Sequence, residues 1–373
     1  MTKSSITSQT EERSPIDFDR LSPDVRKRVS RLTKLDNWHG LLGVLQEYAI
    51  IAAAVYLCVG VSWWFYPLSA LLIGSSHRAL AHFLHESAHR VLAGNSTINL
   101  VLGTYFSGYL TFQMYNPYRN THVGCHHRNL GDPETDPDYS FHQECGLYDY
   151  HQSDATFMFK NVVAAVVGLR TVSYVRYLLR DRIFCTMPRL VVSMPIKFRR
   201  ERWLLLTQWA LILGLCAYAG WLHVLVLLWF VPMVTTGIAV GWLSELAEHY
   251  PLPESESKKL LLTRNRHGWA VENFLLGRYN DRYHLIHHLN PGIPFWNLRK
   301  AHRVLREDPG YSAWDDLWAG ILTRPRSRRH GETVLTYGAK YRAWRRAGGD
   351  PRAEGTSFAE VMARADRARA VTR

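Results

Sequence analysis

The sequence predicts an all-α integral membrane protein, with four transmembrane helices in two hairpins and a cytosolic, histidine-rich cap. Three observations carry this expectation. The 373-residue chain is 47% hydrophobic and 12% aromatic, yet only 21% of it is charged, and that charge is uneven. Two long stretches, Tyr48–His77 and Trp203–Ser244, contain no Asp, Glu, Lys or Arg. Half of the 18 His fall into a few tight groups, most of them just beyond those stretches. The hydrophobic and aromatic content excludes a disordered chain, and the lack of a sustained heptad run excludes a coiled coil.

Residues 1–38 are polar and mixed in charge, and they read as an N-terminal tail. The acids near the start are foreign to a secretory signal. The membrane domain is expected over 39–300. Crossing a bilayer takes about 20 apolar residues. The first charge-free stretch is preceded by Leu41, Leu42, Val44 and Leu45 and punctuated by Gly60 and Pro67. It reads as a hairpin with helices over 40–61 and 63–82, the second running on into polar sequence. Residues 95–112 are apolar but short, with Gly103 and Gly108, and 161–180 carry Arg170 and Arg176. Both suit in-plane or re-entrant helices better than spans. Trp203–Ser244, with Gly220 and His223 near its middle, has room for two spans and a turn. A buried helical hairpin of a soluble protein is the bland alternative. Residues 301–373 read as a basic cytosolic C-terminal tail.

The net charge is +13. Nucleic-acid binding is one explanation for such a number. The placement of the charge favours another. Lys160–Arg202 holds ten Lys or Arg and two acids, directly before a charge-free stretch. By the positive-inside rule that linker is cytoplasmic and lies on lipid headgroups, so no nucleic-acid partner is expected. Cys58, Cys125, Cys145, Cys185 and Cys216 form no CxxC pair, which argues against a disulfide framework or a zinc ribbon.

The chemistry sits in four groups: His85-Glu86-Ser-Ala-His89, His122-Val-Gly-Cys-His126-His127, Glu245-Leu-Ala-Glu248-His249, and His284-Leu-Ile-His287-His288. Residues three or four apart share a helix face, so each histidine box can offer two rings to one metal. Nine imidazoles exceed what one zinc uses and divide naturally over two ions. Such a shell is nearly all neutral nitrogen. Carboxylates such as Glu86, Asp136, Glu245 and Asp281 are suited to bond the outer ring nitrogens and offset the metal charge, with Asn273 and His82 as further supporting candidates. His39, His142, His151, His302 and His330 stand alone and read as surface or structural, while His77 is ambiguous. A parity argument places the groups together. An even number of crossings precedes groups one and three, and no span separates one from two or three from four. All then face the side of the basic linker.

At these residues the chain resembles the membrane fatty acid desaturase superfamily, whose three histidine boxes match HESAH at 85–89, HVGCHH at 122–127 and HLIHH at 284–288. The resemblance runs over about 40–300 and implies four spanning helices, a cytosolic cap and two iron ions. It implies O2 as co-substrate and a bacterial inner-membrane location, with the active site and both termini cytoplasmic. Carried over residue by residue, it assigns the metal to His85, His89, His122, His126, His127, His249, His284, His287 and His288. Some members have an Asn reaching iron through water where this chain has Glu245, so a tenth ligand there is open. HHRNLGDPETDPDY and AEHY are similar to a bacterial branch that includes desaturation of dihydrorhizobitoxine, an amino-acid toxin precursor.

The activity this implies is insertion of a C=C bond into a fatty-acyl or lipid chain or a related amphiphilic metabolite. The alternatives are an amino-acid-type substrate, or a hydroxylase on the same scaffold. HESAH also fits the HExxH zinc protease signature with Glu86 as base, but that reading leaves six box histidines idle. Tyr115, Tyr118, Trp242, Trp269 and Phe274 are candidate liners of a substrate site. No haem-binding HPGG stretch or cysteine cluster accompanies the boxes, so an external donor of ferredoxin or cytochrome b5 type, with its reductase, is expected.

Overall fold

The computed structural model describes residues 21–184, 192–256, 258–351 and 357–371. Among these the regular elements are helices, joined by one isolated bridge between Trp318 and Glu332. After α1 (Pro23–Ser30) the first expected hairpin forms from α2 (His39–Val61) and α3 (Tyr66–Ala88). The chain reverses at Ser62, whose backbone is extended and whose hydroxyl accepts from the Trp64 N–H. Pro67 then lies in the first turn of α3, where its missing N–H costs nothing. The two helices pack closely at Gly43, where a Cβ would come within 3.0 Å of the Phe83 ring. α3 is longer than the apolar pattern suggests. Its second half carries His77, His82, His85 and Glu86, all buried.

α4 (Ser96–Thr104) is capped by Asn95, which accepts from the Thr97 and Ile98 N–H groups. It is short, as expected. The wide-wound helical stretch α5 (Arg119–His126) carries the second box, and α6 (Pro137–Glu144) follows with Asp136 as its N-cap. α7 (Asp154–Val166) and α8 (Thr171–Ile183) are bent by 75° against each other, either one broken span or a re-entrant pair. α9 (Phe198–Tyr218) turns at Gly220 (φ +73) into α10 (Leu222–Ser255), which is interrupted at Thr235. α2 and α10 are long and apolar enough to cross a membrane, and the α7–α8 pair makes a third if it is one span. α3 and α9 complete the two hairpins, but Arg78 and the histidines in one and the FRRER start of the other dilute their apolar character. Large apolar side chains remain exposed along α2, α7, α8 and α9, among them Leu45, Val59, Val166, Val172, Leu211 and Leu215. That is the pattern of a surface that meets lipid rather than water.

α11 (Ala270–Leu276), α12 (His284–Leu289), α13 (Phe295–Leu305), α14 (Pro309–Asp316), α15 (Val334–Arg346) and α16 (Phe358–Val371) complete the fold. Here the expectation of a C-terminal tail from 301 needs correction. Tyr311, Trp314, Trp318, Tyr337, Tyr341 and Phe358 are buried in one cluster with Leu285 and Ile286, which lie within the third box. Averaged charge hid these aromatics, which lie one or two to a helix. Likewise, α1 within the expected N-terminal tail buries Val25 and Val29 in that cluster, while residues 1–20 lie outside the described residues.

What positions the site is the crossing of α3 and α10. A Cβ on Gly74 would stand 2.2 Å from Thr236 Oγ1 and 2.6 Å from the Gly237 nitrogen. The Thr236 hydroxyl donates to the Ala70 carbonyl at 2.6 Å. With no side chain between them, the backbones meet, and the polar halves of both helices run side by side. Arg78 on α3 thereby reaches Glu248 on α10 at 2.8 Å.

Candidate metal centre

The eight box histidines and His249, expected at one boundary, do gather, and they do so as five and four. Ring nitrogens of His85, His89, His122, His127 and His287 lie within 4.8 Å of one another, and so do those of His126, His249 and His288. His284 joins the second set, its Nε2 lying 3.1 Å from both His249 Nε2 and His288 Nε2. In the first set His127 Nε2 is 3.1 Å from His122 Nε2 and 3.0 Å from His287 Nε2. The sets touch: the rings of His127 and His288 stack at 4.3 Å. Adjacent ligands on one ion, each bonded at about 2.0–2.1 Å, lie about 2.8–3.4 Å apart. The nitrogens are therefore spaced as ligands of two neighbouring ions.

The chemistry of the donor set also fits. Nε2 of His85 and His89 is buried with no hydrogen-bond partner among the described residues. Burial first, and then repulsion from neighbouring rings, holds His122, His127, His284, His287 and His288 well below the usual imidazole pKa. They are thus in the neutral, ligating form. His126 differs. Burial again opposes its charge, but the Asp136 carboxylate, aided by Asp138 and Glu248, outweighs that and holds its pKa at about 9.

The outer ring nitrogens have partners of the expected kind. His126 Nδ1 lies 3.0 Å from both Asp136 oxygens, and His249 Nδ1 is 3.1 Å from the Leu262 carbonyl. Donation at Nδ1 leaves Nε2 free to ligate. Asp136 also accepts from the backbone N–H groups of Gly131, Asp138 and Tyr139, so one carboxylate caps α6 and orients a ring. His82 Nδ1 stands 3.1 Å from Asp281, which also pairs with Arg78 and Arg266. Glu86 sits 3.7 Å from His85 Nδ1 and accepts from the Phe295 N–H at 2.9 Å.

Two supporting candidates fall elsewhere. Asn273 donates its amide to the Gly268 carbonyl at 2.7 Å. Glu245 accepts from the Tyr174 hydroxyl at 3.2 Å and faces His142 at 3.8 Å. The i−4 relation to His249 puts it on the right helix face, but its carboxylate turns away into a cavity.

That cavity, about 270 Å³, opens beside both histidine sets and is lined by His85, His122, His126, His249 and His284 at that side. Of the five aromatic liners expected, Tyr118 is present. Tyr115 and Trp242 are buried in packing and bond to the Ser87 and Asn161 carbonyls, while Trp269 and Phe274 are exposed. The remaining wall is mostly apolar, with Phe112, Leu178, Ile183, Met233 and Ile238, and the charged groups Arg78, Asp138, Arg182, Glu245 and Glu248 stand among them with His142. Two ion pairs cross it, Arg78–Glu248 at 2.8 Å and Arg182–Asp138 at 2.8 Å. His142, taken from sequence as solitary and surface or structural, is buried there. Glu248 and Asp138 had a visible signal, lying next to His249 and in the acidic run after the second box. Arg182 had none, since it resembles every other cation of the linker.

Helices of this kind around two facing histidine sets define a membrane-bound oxidoreductase, and the chain belongs to the fatty acid desaturase family, whose model matches residues 61–316. It is 41% identical over 303 residues to dihydrorhizobitoxine desaturase of Bradyrhizobium elkanii, covering 81% of this chain and 85% of that one. It is also 22% identical over 326 residues to a chloroplastic omega-6 fatty acid desaturase of Spinacia oleracea, covering 83% of this chain and 66% of that one.

Proposed function

We propose that the protein is a di-iron desaturase that introduces a C=C bond into a small, polar-headed amphiphile of the dihydrorhizobitoxine type. The observation that carries the substrate class is the cavity. Its about 270 Å³ is modest, and charged groups from α3, α8 and α10 stand among its mostly apolar lining, which suits a short chain with a polar head. Ligand pockets of small molecules start near ~300 Å³. The identity to a relative named for such a metabolite points the same way.

One iron would be held by His85, His89, His122, His127 and His287, and the other by His126, His249, His284 and His288. Two bound irons supply, from O2, the oxidising power to remove two hydrogens from an unactivated carbon pair, which no side chain has. The protein contributes the rest. Asp136 and the Leu262 carbonyl fix the tautomers of His126 and His249. Asp281 fixes His82 beside the first set. The Arg78–Glu248 and Arg182–Asp138 pairs hold the cavity walls, and burial excludes bulk water from the rings. Forming two waters from O2 while removing two hydrogens needs two electrons and two protons from outside. An external donor of ferredoxin or cytochrome b5 type, with its reductase, docks on the basic face. In the membrane, α2, α3, α9 and α10 form four spans, with the histidine sets and both termini on the cytoplasmic side.

The test is purification in detergent, metal analysis, and mass spectrometry of product with a ferredoxin system. About two irons per chain and a 2 Da loss are expected, from the two hydrogen atoms removed. A 16 Da gain would make it a hydroxylase, and one zinc per chain would sink the di-iron reading.

A further inference from the structure

The carboxylates around the cavity have different companions. Asp136 faces His126, Asp138 pairs with Arg182, and Glu248 and Asp281 pair with Arg78. Glu245 has no arginine at bonding distance among the described residues. Its Oε1 accepts from the Tyr174 hydroxyl, and its Oε2 looks across 3.8 Å at His142 Nε2, too far for a hydrogen bond. That ring nitrogen is buried and has no hydrogen-bond partner, on a residue only 5% exposed. All three side chains line the cavity. The Glu245 side chain is 30% exposed, into the cavity, and no ion pair at bonding distance answers its carboxylate among the described residues. An unpartnered imidazole beside it marks the same vacancy of partners. Both needs are met by one cationic donor with several N–H groups seated between them.

We propose that Glu245, His142 and Tyr174 form a subsite for a primary ammonium group of the substrate, and that Glu245 is a specificity-determining residue rather than a tenth metal ligand. This rests on the desaturase reading above and deepens it. The ammonium makes a charge-assisted hydrogen bond to Glu245 and donates a second N–H to His142 Nε2. Tyr174 holds the carboxylate in place. The spacing sets the substrate's size. Glu245 lies one helical turn before His249, their Cβ atoms about 5–6 Å apart, and both side chains line the same cavity. The oxidised carbons therefore lie only a few bonds from the nitrogen. Short amines are taken and long neutral lipids are not.

The test uses the full-length protein loaded with iron in nanodiscs, titrated calorimetrically with n-hexylammonium, n-hexanol and hexanoate as probes. Wild type should bind the ammonium about ten- to a hundred-fold more tightly than the alcohol, the range a bond to a charged group supports. Glu245→Gln should erase that preference, leave hexanol affinity unchanged, and keep two irons per chain. Tyr174→Phe should narrow the preference several-fold. Equal binding of amine and alcohol by wild type overturns the proposal without any variant. Loss of iron from Glu245→Gln also overturns it, because the carboxylate is then a ligand. Failure of the desaturase reading looks different: amine selectivity persists in a protein that carries zinc or yields no alkene.

Discussion

Replacing Asp136 by Asn separates the two tasks of that carboxylate. It is 1% exposed, accepts three backbone N–H groups at 3.1–3.2 Å as the cap of α6, and meets His126 Nδ1 with both oxygens at 3.0 Å. Asn is as good an N-cap as Asp, so little helix stability is lost, whereas Ala forfeits ~1 kcal/mol. The charge behind His126 vanishes in both. Losing such an outer partner weakens metal binding about 10–100-fold, or about 1.4–2.8 kcal/mol. The assay is iron retention against a graded chelator, beside a thermal melt of the metal-free protein. Asp136→Asn keeps the α6 cap but sets an NH2 against the Gly131 N–H, so it should melt about 1–3 kcal/mol below wild type and release iron at about tenfold lower chelator, one iron before the other. Unchanged retention of both irons would refute the reasoning that Asp136 supports the His126 site.

Other outcomes follow from the same geometry. His126→Ala should lose alkene formation entirely and at least one iron per chain; activity surviving it would contradict the ligand assignment. Gly74→Ala forces a methyl group to within 2.2 Å of Thr236 Oγ1, and such overpacking costs about 1–3 kcal/mol, read as a lowered melting temperature. Trp314→Ala removes a fully buried indole that donates to the Thr263 carbonyl at 3.0 Å. It should cost about 3–5 kcal/mol, and a melt unchanged by it would show that α14 is dispensable. Glu256 is pushed up to about 7 by burial, against the opposing bonds of Ser357 and Tyr337. A raised carboxyl pKa means that the folded state binds the extra proton. Its contribution is therefore present below about pH 4.5, the ordinary glutamate range, and lost as pH rises through about 7. Glu256→Gln should flatten that decline, by up to about 3 kcal/mol at pH 8, in melts across pH 5–8.

The sequence displayed the metal-type residues because their chemistry needs fixed spacing on one helix face. His85 with His89, His122 with His126 and His284 with His288 are local patterns, and the hairpins that bring them together follow from charge-free length. Long-range partners are another matter. Arg182 meets Asp138 from 44 residues away, and nothing local distinguishes it from Arg180 or Arg176. His142 looked isolated because its companions, Glu245 and Tyr174, arrive from other helices. The C-terminal helices were misjudged for a related reason. A mean over a basic segment conceals single aromatics such as Trp318 and Tyr337, each contributing one anchor to a shared core.

The backing of the third box has a consequence for biosynthesis. Leu285 donates its N–H to the Arg264 carbonyl; the Arg264 guanidinium stacks on Trp318 at 4.3 Å, and His267 is held by Asp315 at 3.0 Å. The strap that steadies His284, His287 and His288 is thus formed by Arg264 and His267, which precede them, and anchored by Asp315 and Trp318, which are translated after them. A nascent chain stalled before Asp315 already has its long apolar helices α2 and α10 but an unbraced third box. Iron acquisition is therefore expected to wait for the ribosome to finish, and nonsense variants late in the gene should yield iron-free protein rather than a partly working enzyme.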